Sequence, residues 1–190
     1  MLRKAQRGDE RAFSLIVRAY EQPVFNYVLR LVGDRNLAED LTQEVFLRVY
    51  QGLPGFSDRS RFTTWLFQVT KNRVLDELRA LERRDVVERD DGPRATLEAV
   101  DQPLERTETI DAVWRAVESL TVDLKLALLL RDVVGLSYTE IGDSLEITLA
   151  TVKWRIYKAR EEVATALARE GITASTATST RRVRVAAVAD

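Results

Sequence analysis

Histidine and cysteine are both absent from this 190-residue sequence, which also holds only 4 prolines, 8 glycines and 1 methionine. Without cysteine there is no disulfide, iron–sulfur cluster or thiol nucleophile. Without histidine the Ser-His-Asp triad, the histidine-ligated zinc site and the usual near-neutral proton shuttle are excluded as well. Any catalysis would fall to carboxylates, Lys, Tyr, Ser and Thr. Paired carboxylates such as Glu39 and Asp40 lack an accompanying metal-type or acid/base spacing, so neither an enzyme nor a cofactor is expected. Long hydrophobic runs are missing too: none approaches the roughly 18 to 20 residues of a bilayer span, and the first ten residues carry charge rather than an apolar leader. The expectation is a soluble, cytoplasmic protein with no membrane insertion.

An excess of one charge sign is also lacking, since 29 Lys plus Arg face 30 Asp plus Glu. The balance hides an uneven distribution. Residues 59–84 carry 7 basic and 3 acidic side chains, and residues 85–118 carry 4 basic and 10 acidic, so two surfaces with different partners are expected.

Helical periodicity dominates the chain, and strand-type alternation is almost absent. From Asp9, Phe13, Ile16, Val17 and Tyr20 fall at helical spacing; a second run, Val24, Tyr27, Val28 and Leu31, begins after Pro23, a residue suited to a first helical position. Asn36 with Glu39 reads as a capping box opening a helix through Leu41, Val45 and Val49. Gly52-Leu53-Pro54-Gly55 ends it, and Phe62 to about Leu81 predicts a further helix. The stretch from about 83 to 108 loses the period, contains Gly92-Pro93 and Pro103, and reads as an acidic linker. Helices resume with Ile110, Val113, Val117 and Leu120, then Leu124 to Leu130, a box at Ser137 and Glu140, and a stripe of Leu149, Val152, Ile156, Ala159 and Val163. The fold class is all-α: two small helical domains, 1–82 and 109–170, joined by the linker 83–108 and followed by a tail, 171–190, rich in Ala, Ser and Thr and expected to be disordered.

Three constellations carry function. The short capped helix at 137–145, a brief turn and the cationic helix from Leu149 to Arg160 form a helix-turn-helix pattern. With Val152 at the centre of the buried stripe, Thr151, Trp154, Tyr157 and Lys158 point outward and Lys153 and Arg155 flank them. Second, residues 55–84 interleave Phe56, Phe62, Trp65 and Phe67 with Arg59, Arg61, Lys71 and Arg73, a mixture suited to unstacked bases and phosphates. Phe62, Trp65 and Leu66 read better as core. Third, Asp40, Gln43 and Glu44 share one polar helix face; DNA would repel it, so a basic protein surface is the better partner.

These motifs, in this order, with Gly8 to Phe13, Thr64 to Asn72 and Leu128 to Asp132, resemble the extracytoplasmic-function (ECF, group 4) bacterial RNA polymerase sigma factors over residues 8–168. The resemblance implies a promoter-specificity subunit without catalysis. It implies that Asp40, Gln43 and Glu44 dock on the clamp helices of the largest polymerase subunit. Phe56, Ser57, Asp58, Arg59, Ser60 and Arg61 would form the loop that captures a flipped base of the minus-10 non-template strand. Trp65, Lys71, Asn72 and Arg73 would hold the melted strand. Thr151, Lys153, Trp154, Arg155 and Lys158 would read the minus-35 duplex, and an anti-sigma factor is an implied partner. Glu146, Thr148 and Ala150 depart from the Gly, Pro and Gly usual in the turn, and Trp154 from a usual Ser; Trp154 either contacts an apolar group such as a thymine methyl or tilts the helix. The other reading is a stand-alone helix-turn-helix regulator, which leaves the acidic face and the aromatic loop without a role.

Overall fold

A computed structural model describes residues 1–57, 61–87 and 108–172. The chain divides into two compact units, and every regular element among the described residues is helical. The first unit holds α1 (Leu2–Ala5), α2 (Glu10–Val32), α3 (Arg35–Gly52) and α4 (Phe62–Val87), and the second α5 (Glu108–Glu118), α6 (Val122–Leu129), α7 (Tyr138–Leu145) and α8 (Leu149–Arg169). Expected boundaries at 82 and 171–190 fare differently: α4 runs through residue 82 to Val87, whereas residues 173–190 lie outside the described residues, as does most of the expected linker.

In the first unit, Asp9 caps α2, accepting from the Ala12 amide at 3.0 Å, and Gly33 closes it at φ 75°, where a side chain would be strained. The break expected at Pro23 does not occur. Proline has no N–H for the preceding turn, but the buried stripe of Ile16, Val24, Tyr27 and Val28 runs unbroken through it, and packing outweighs the local defect. The capping box expected at Asn36 is also corrected. Asp34 caps α3 instead, its carboxylate accepting from the Leu37 amide at 2.8 Å, while Glu39 pairs with Arg35 at 3.0 Å. α2, α3 and α4 pack on one another, burying Leu41, Val45 and Val49 against a core that includes Leu66 and Phe67.

Tyr27 is wholly buried edge-on to Phe67, centroids 5.4 Å apart, and its hydroxyl has no partner among the described residues. Burial pushes the phenol far above its ordinary pKa. A polar group desolvated without a bond costs stability, so Tyr27→Phe is expected to stabilise the first unit by about 1 kcal/mol, read as a higher urea midpoint. A lower midpoint would show the hydroxyl to be bonded.

The second unit is built around α8, on which α5, α6 and α7 pack. Its buried residues include Leu124, Leu126 to Leu130, Ile141, Val152, Ile156 and Ala159. Two expected stripes shift: α5 buries Ala112, Ala116 and Val117 and leaves Ile110 exposed, and Leu149, at the first turn of α8, is exposed too. The box at Ser137 forms as expected, with Ser137 Oγ accepting from the Glu140 amide at 3.2 Å and the Glu140 carboxylate from the Ser137 amide at 2.8 Å. After α6 the chain makes a π turn, Leu130–Val134, which periodicity does not reveal.

The turn from α7 to α8 explains how a helix-turn-helix forms without the usual glycines. Glu146 adopts φ 59°, ψ 42°, the left-handed region, closing α7, and Thr148 caps α8 by accepting from the Thr151 amide at 3.2 Å. A Cβ on Gly142 would stand 3.0 Å from the Ile147 carbonyl oxygen, so glycine is needed there for the close approach of helix and turn. Holding a non-glycine residue at positive φ costs energy, and Glu146→Gly is expected to stabilise the second unit by about 0.5–1 kcal/mol, seen as a raised melting temperature. An unchanged or lower melting temperature would mean that the glutamate side chain offsets the strain.

Candidate functional site

On α3, Asp40 and Gln43 are exposed as expected, and Asp40 has no ion-pair partner among the described residues. Glu44 differs. It accepts from Arg73 Nε at 2.5 Å, and Arg73 also donates to Glu77 at 2.8 Å, so the guanidinium ties α3 to α4, and the Arg73 side chain is only 12% exposed. The bond from Arg73 holds the Glu44 carboxyl below its ordinary pKa, and the same bond raises that of Arg73. Both expected site residues are thus engaged with each other in the unbound chain, with the Glu44 side chain still 46% exposed. A depressed carboxyl pKa stabilises the fold above the unfolded value and loses that contribution as pH falls through the folded one. Glu44→Gln is therefore expected to flatten the acid limb of a stability–pH curve measured by urea unfolding; an unaltered limb would show the bond to be energetically idle.

The outward stripe of α3 continues past the polar residues to Leu47, 61% exposed, and Tyr50, edge-on to Phe13 at 4.9 Å. Sequence reasoning passed over both. The signal was there: Leu47 does not fit the buried stripe of Leu41, Val45 and Val49, and 40, 43, 47 and 50 share one helical face.

The aromatic loop is largely turned inward. Phe56 is buried with Ala5, Ala12, Ile16 and Leu53; its ring lies 5.0 Å from Trp65 and 5.9 Å from Phe62, and its carbonyl accepts from Gln6 Nε2 at 2.9 Å. Trp65 is half-buried in the same cluster and Lys71 is buried. Phe56 and Lys71 thus pack within the unit, and Trp65 does so in part. Ser57, Arg61 and Asn72 are exposed, while Asp58, Arg59 and Ser60 lie outside the described residues.

On α8, Lys153 and Trp154 are exposed, as is Tyr157. Thr151 is half-buried, its hydroxyl 2.8 Å from that of Thr148. Three further cations of α8 are paired within the unit. Arg155, its side chain 17% exposed, donates to Asp123 at 2.7 Å, Lys158 to Glu161 at 2.7 Å, and Arg160 to Asp132 with both nitrogens at 2.6 and 3.3 Å. The Asp132 bond raises the Arg160 pKa and the Glu161 bond that of Lys158. Tyr138, Lys153, Ile156, Tyr157 and Arg160 line a shallow groove on this side.

Two helical units, one with an acidic helix face and the other with a helix-turn-helix whose second helix shows a basic and aromatic edge, define a DNA-directed transcription factor of two domains. Residues 16–84 match the Sigma-70 region 2 family and residues 110–163 the Sigma-70, region 4 family. The RNA polymerase sigma-H factor of Pseudomonas aeruginosa is 34% identical over 88% of this chain and 92% of its own length. The ECF RNA polymerase sigma-E factor of Escherichia coli K12 is 33% identical over 86% and 90%. The fold is also that of the sigma factor RpoE from Bartonella quintana, solved with the anti-sigma factor NepR (TM-score 0.74, 19% identity, 83% of this chain and 98% of that one). CnrH, solved with the cytosolic domain of CnrY, is similar as well (TM-score 0.68, 19% identity, 89% and 96%). The chain belongs to the ECF sigma factors. It is an alternative sigma factor, without enzymatic activity, that directs RNA polymerase to promoters; the stand-alone regulator is not favoured. No helix among the described residues is long and apolar enough to cross a membrane.

Proposed function

We propose that the two units divide promoter opening between them in the cytoplasm. The outward face of α3, led by Asp40 and Gln43, docks on the clamp helices of the largest polymerase subunit. The loop 56–61 captures a base of the minus-10 non-template strand, with Ser57, Arg61 and Asn72 beside the strand and Phe56, Trp65, Lys71, Arg73 and Glu44 bracing that face from within. Thr151, Lys153, Trp154, Arg155 and Lys158 place α8 in the minus-35 duplex. Melting is then driven by binding energy, one unit gripping duplex while the other traps bases as they unstack. The linker passes through the polymerase, and an anti-sigma factor, as NepR is for the Bartonella quintana protein, covers both units when the factor is silent.

The observation that carries this reading is the pairing of an exposed acidic stripe on α3 with an exposed basic and aromatic edge on α8, in separate units of one chain. Permanganate footprinting tests it. Thymines of the minus-10 region should become reactive only when this chain and core polymerase are both present, and reactivity with either alone would overturn it.

A further inference from the structure

Trp154 and Tyr157 are 59% and 69% exposed, the most exposed large hydrophobic residues among those described in the second unit. At i and i+3 they share one edge of α8, and neither makes a ring contact or hydrogen bond among the described residues. Both rings stay in water at the second and third turns of the helix that follows the turn, the part of a recognition helix that reaches base edges.

The chemistry around them narrows what they meet. The commonest specific contact to a base pair is a guanidinium on guanine O6 and N7. Both arginines near this edge are already engaged from behind, Arg155 by Asp123 at 2.7 Å and Arg160 by Asp132 at 2.6 Å. Lys158 is held by Glu161. Lys153 remains, exposed and without an ion-pair partner among the described residues, suited as a point charge to a phosphate beside the rings. Beside the paired Arg155 and Lys158, the edge therefore offers apolar surface and one unpaired ammonium. In the major groove the only apolar group on a base edge is the 5-methyl of thymine.

We propose that Trp154 and Tyr157 are specificity-determining residues that select thymine by its methyl group in the upstream promoter duplex, Lys153 fixing the adjacent backbone. This rests on the reading of α8 as the minus-35 recognition helix. Trp154 then makes the apolar contact instead of tilting the helix.

The test uses the full chain with core polymerase. Promoter fragments are first selected from a library randomised across the upstream element, and each thymine of the winning duplex is then replaced by deoxyuridine, which lacks only the methyl. At one or two positions the parent should bind about fourfold more weakly, the worth of one buried methyl. Trp154→Ala should bring that ratio near one while keeping the salt dependence, and Tyr157→Phe should preserve the ratio. Because both rings are exposed, the variants should melt as the parent does. Selection of a defined element in which no thymine is distinguished from deoxyuridine, or a ratio that survives Trp154→Ala combined with Tyr157→Ala, overturns the proposal alone, and would leave the rings to a protein partner. Absence of any preference in the randomised region overturns the recognition-helix reading with it.

Discussion

Phe56→Ala is expected to destabilise the first unit by about 3–5 kcal/mol, the usual loss when a buried aromatic ring is deleted. The ring closes a cluster formed by Ala5, Ala12, Ile16 and Leu53, with Phe62 and Trp65 packed against it. Truncation would leave a cavity at the start of the loop and free the Phe56 backbone that Gln6 now holds at 2.9 Å. Promoter opening would fail because the loop loses its anchor. If Phe56 were instead an exposed platform for a base, opening would fail with stability intact. Urea unfolding of the variant separates the two: a loss below about 1 kcal/mol would contradict the buried role.

Asp40→Lys combined with Gln43→Ala should weaken binding of core polymerase by about 10- to 100-fold, as removal of central interface residues does, without moving the melting temperature. Both side chains are exposed and hold nothing else in place among the described residues. Glu44→Lys would be a poor substitute. It would set an ammonium against Arg73, which Glu44 and Glu77 now hold between α3 and α4, and weaker polymerase binding would then report a disturbed fold. A pull-down against core polymerase reads the effect, and full affinity in the double variant would remove α3 from the interface.

Much of this was legible in the sequence because local rules and burial agree. The Ser137–Glu140 box, the helix-turn-helix and the outward direction of Trp154 and Tyr157 follow from spacing alone. The misses have physical causes. Pro23 reads as a helix start, but buried residues on both sides carry α2 through it. Asn36 reads as a cap, yet Asp34, two residues earlier, does the same work. The burial of Phe56 and Lys71 was not legible either, because a segment of mixed aromatics and cations does not show by composition which side chains turn inward. The pairing of Glu44 with Arg73 spans 29 residues, and that of Arg155 with Asp123 spans 32, so no local window contains either partner.

Run-off transcription from a linear template carrying the selected promoter tests the central claim most directly. Core polymerase with this chain should give a discrete transcript that neither gives alone, and that transcript should be lost with Asp40→Lys/Gln43→Ala. A transcript of equal strength from core polymerase alone, or tight promoter binding by this chain with no transcript when core is supplied, would contradict the account.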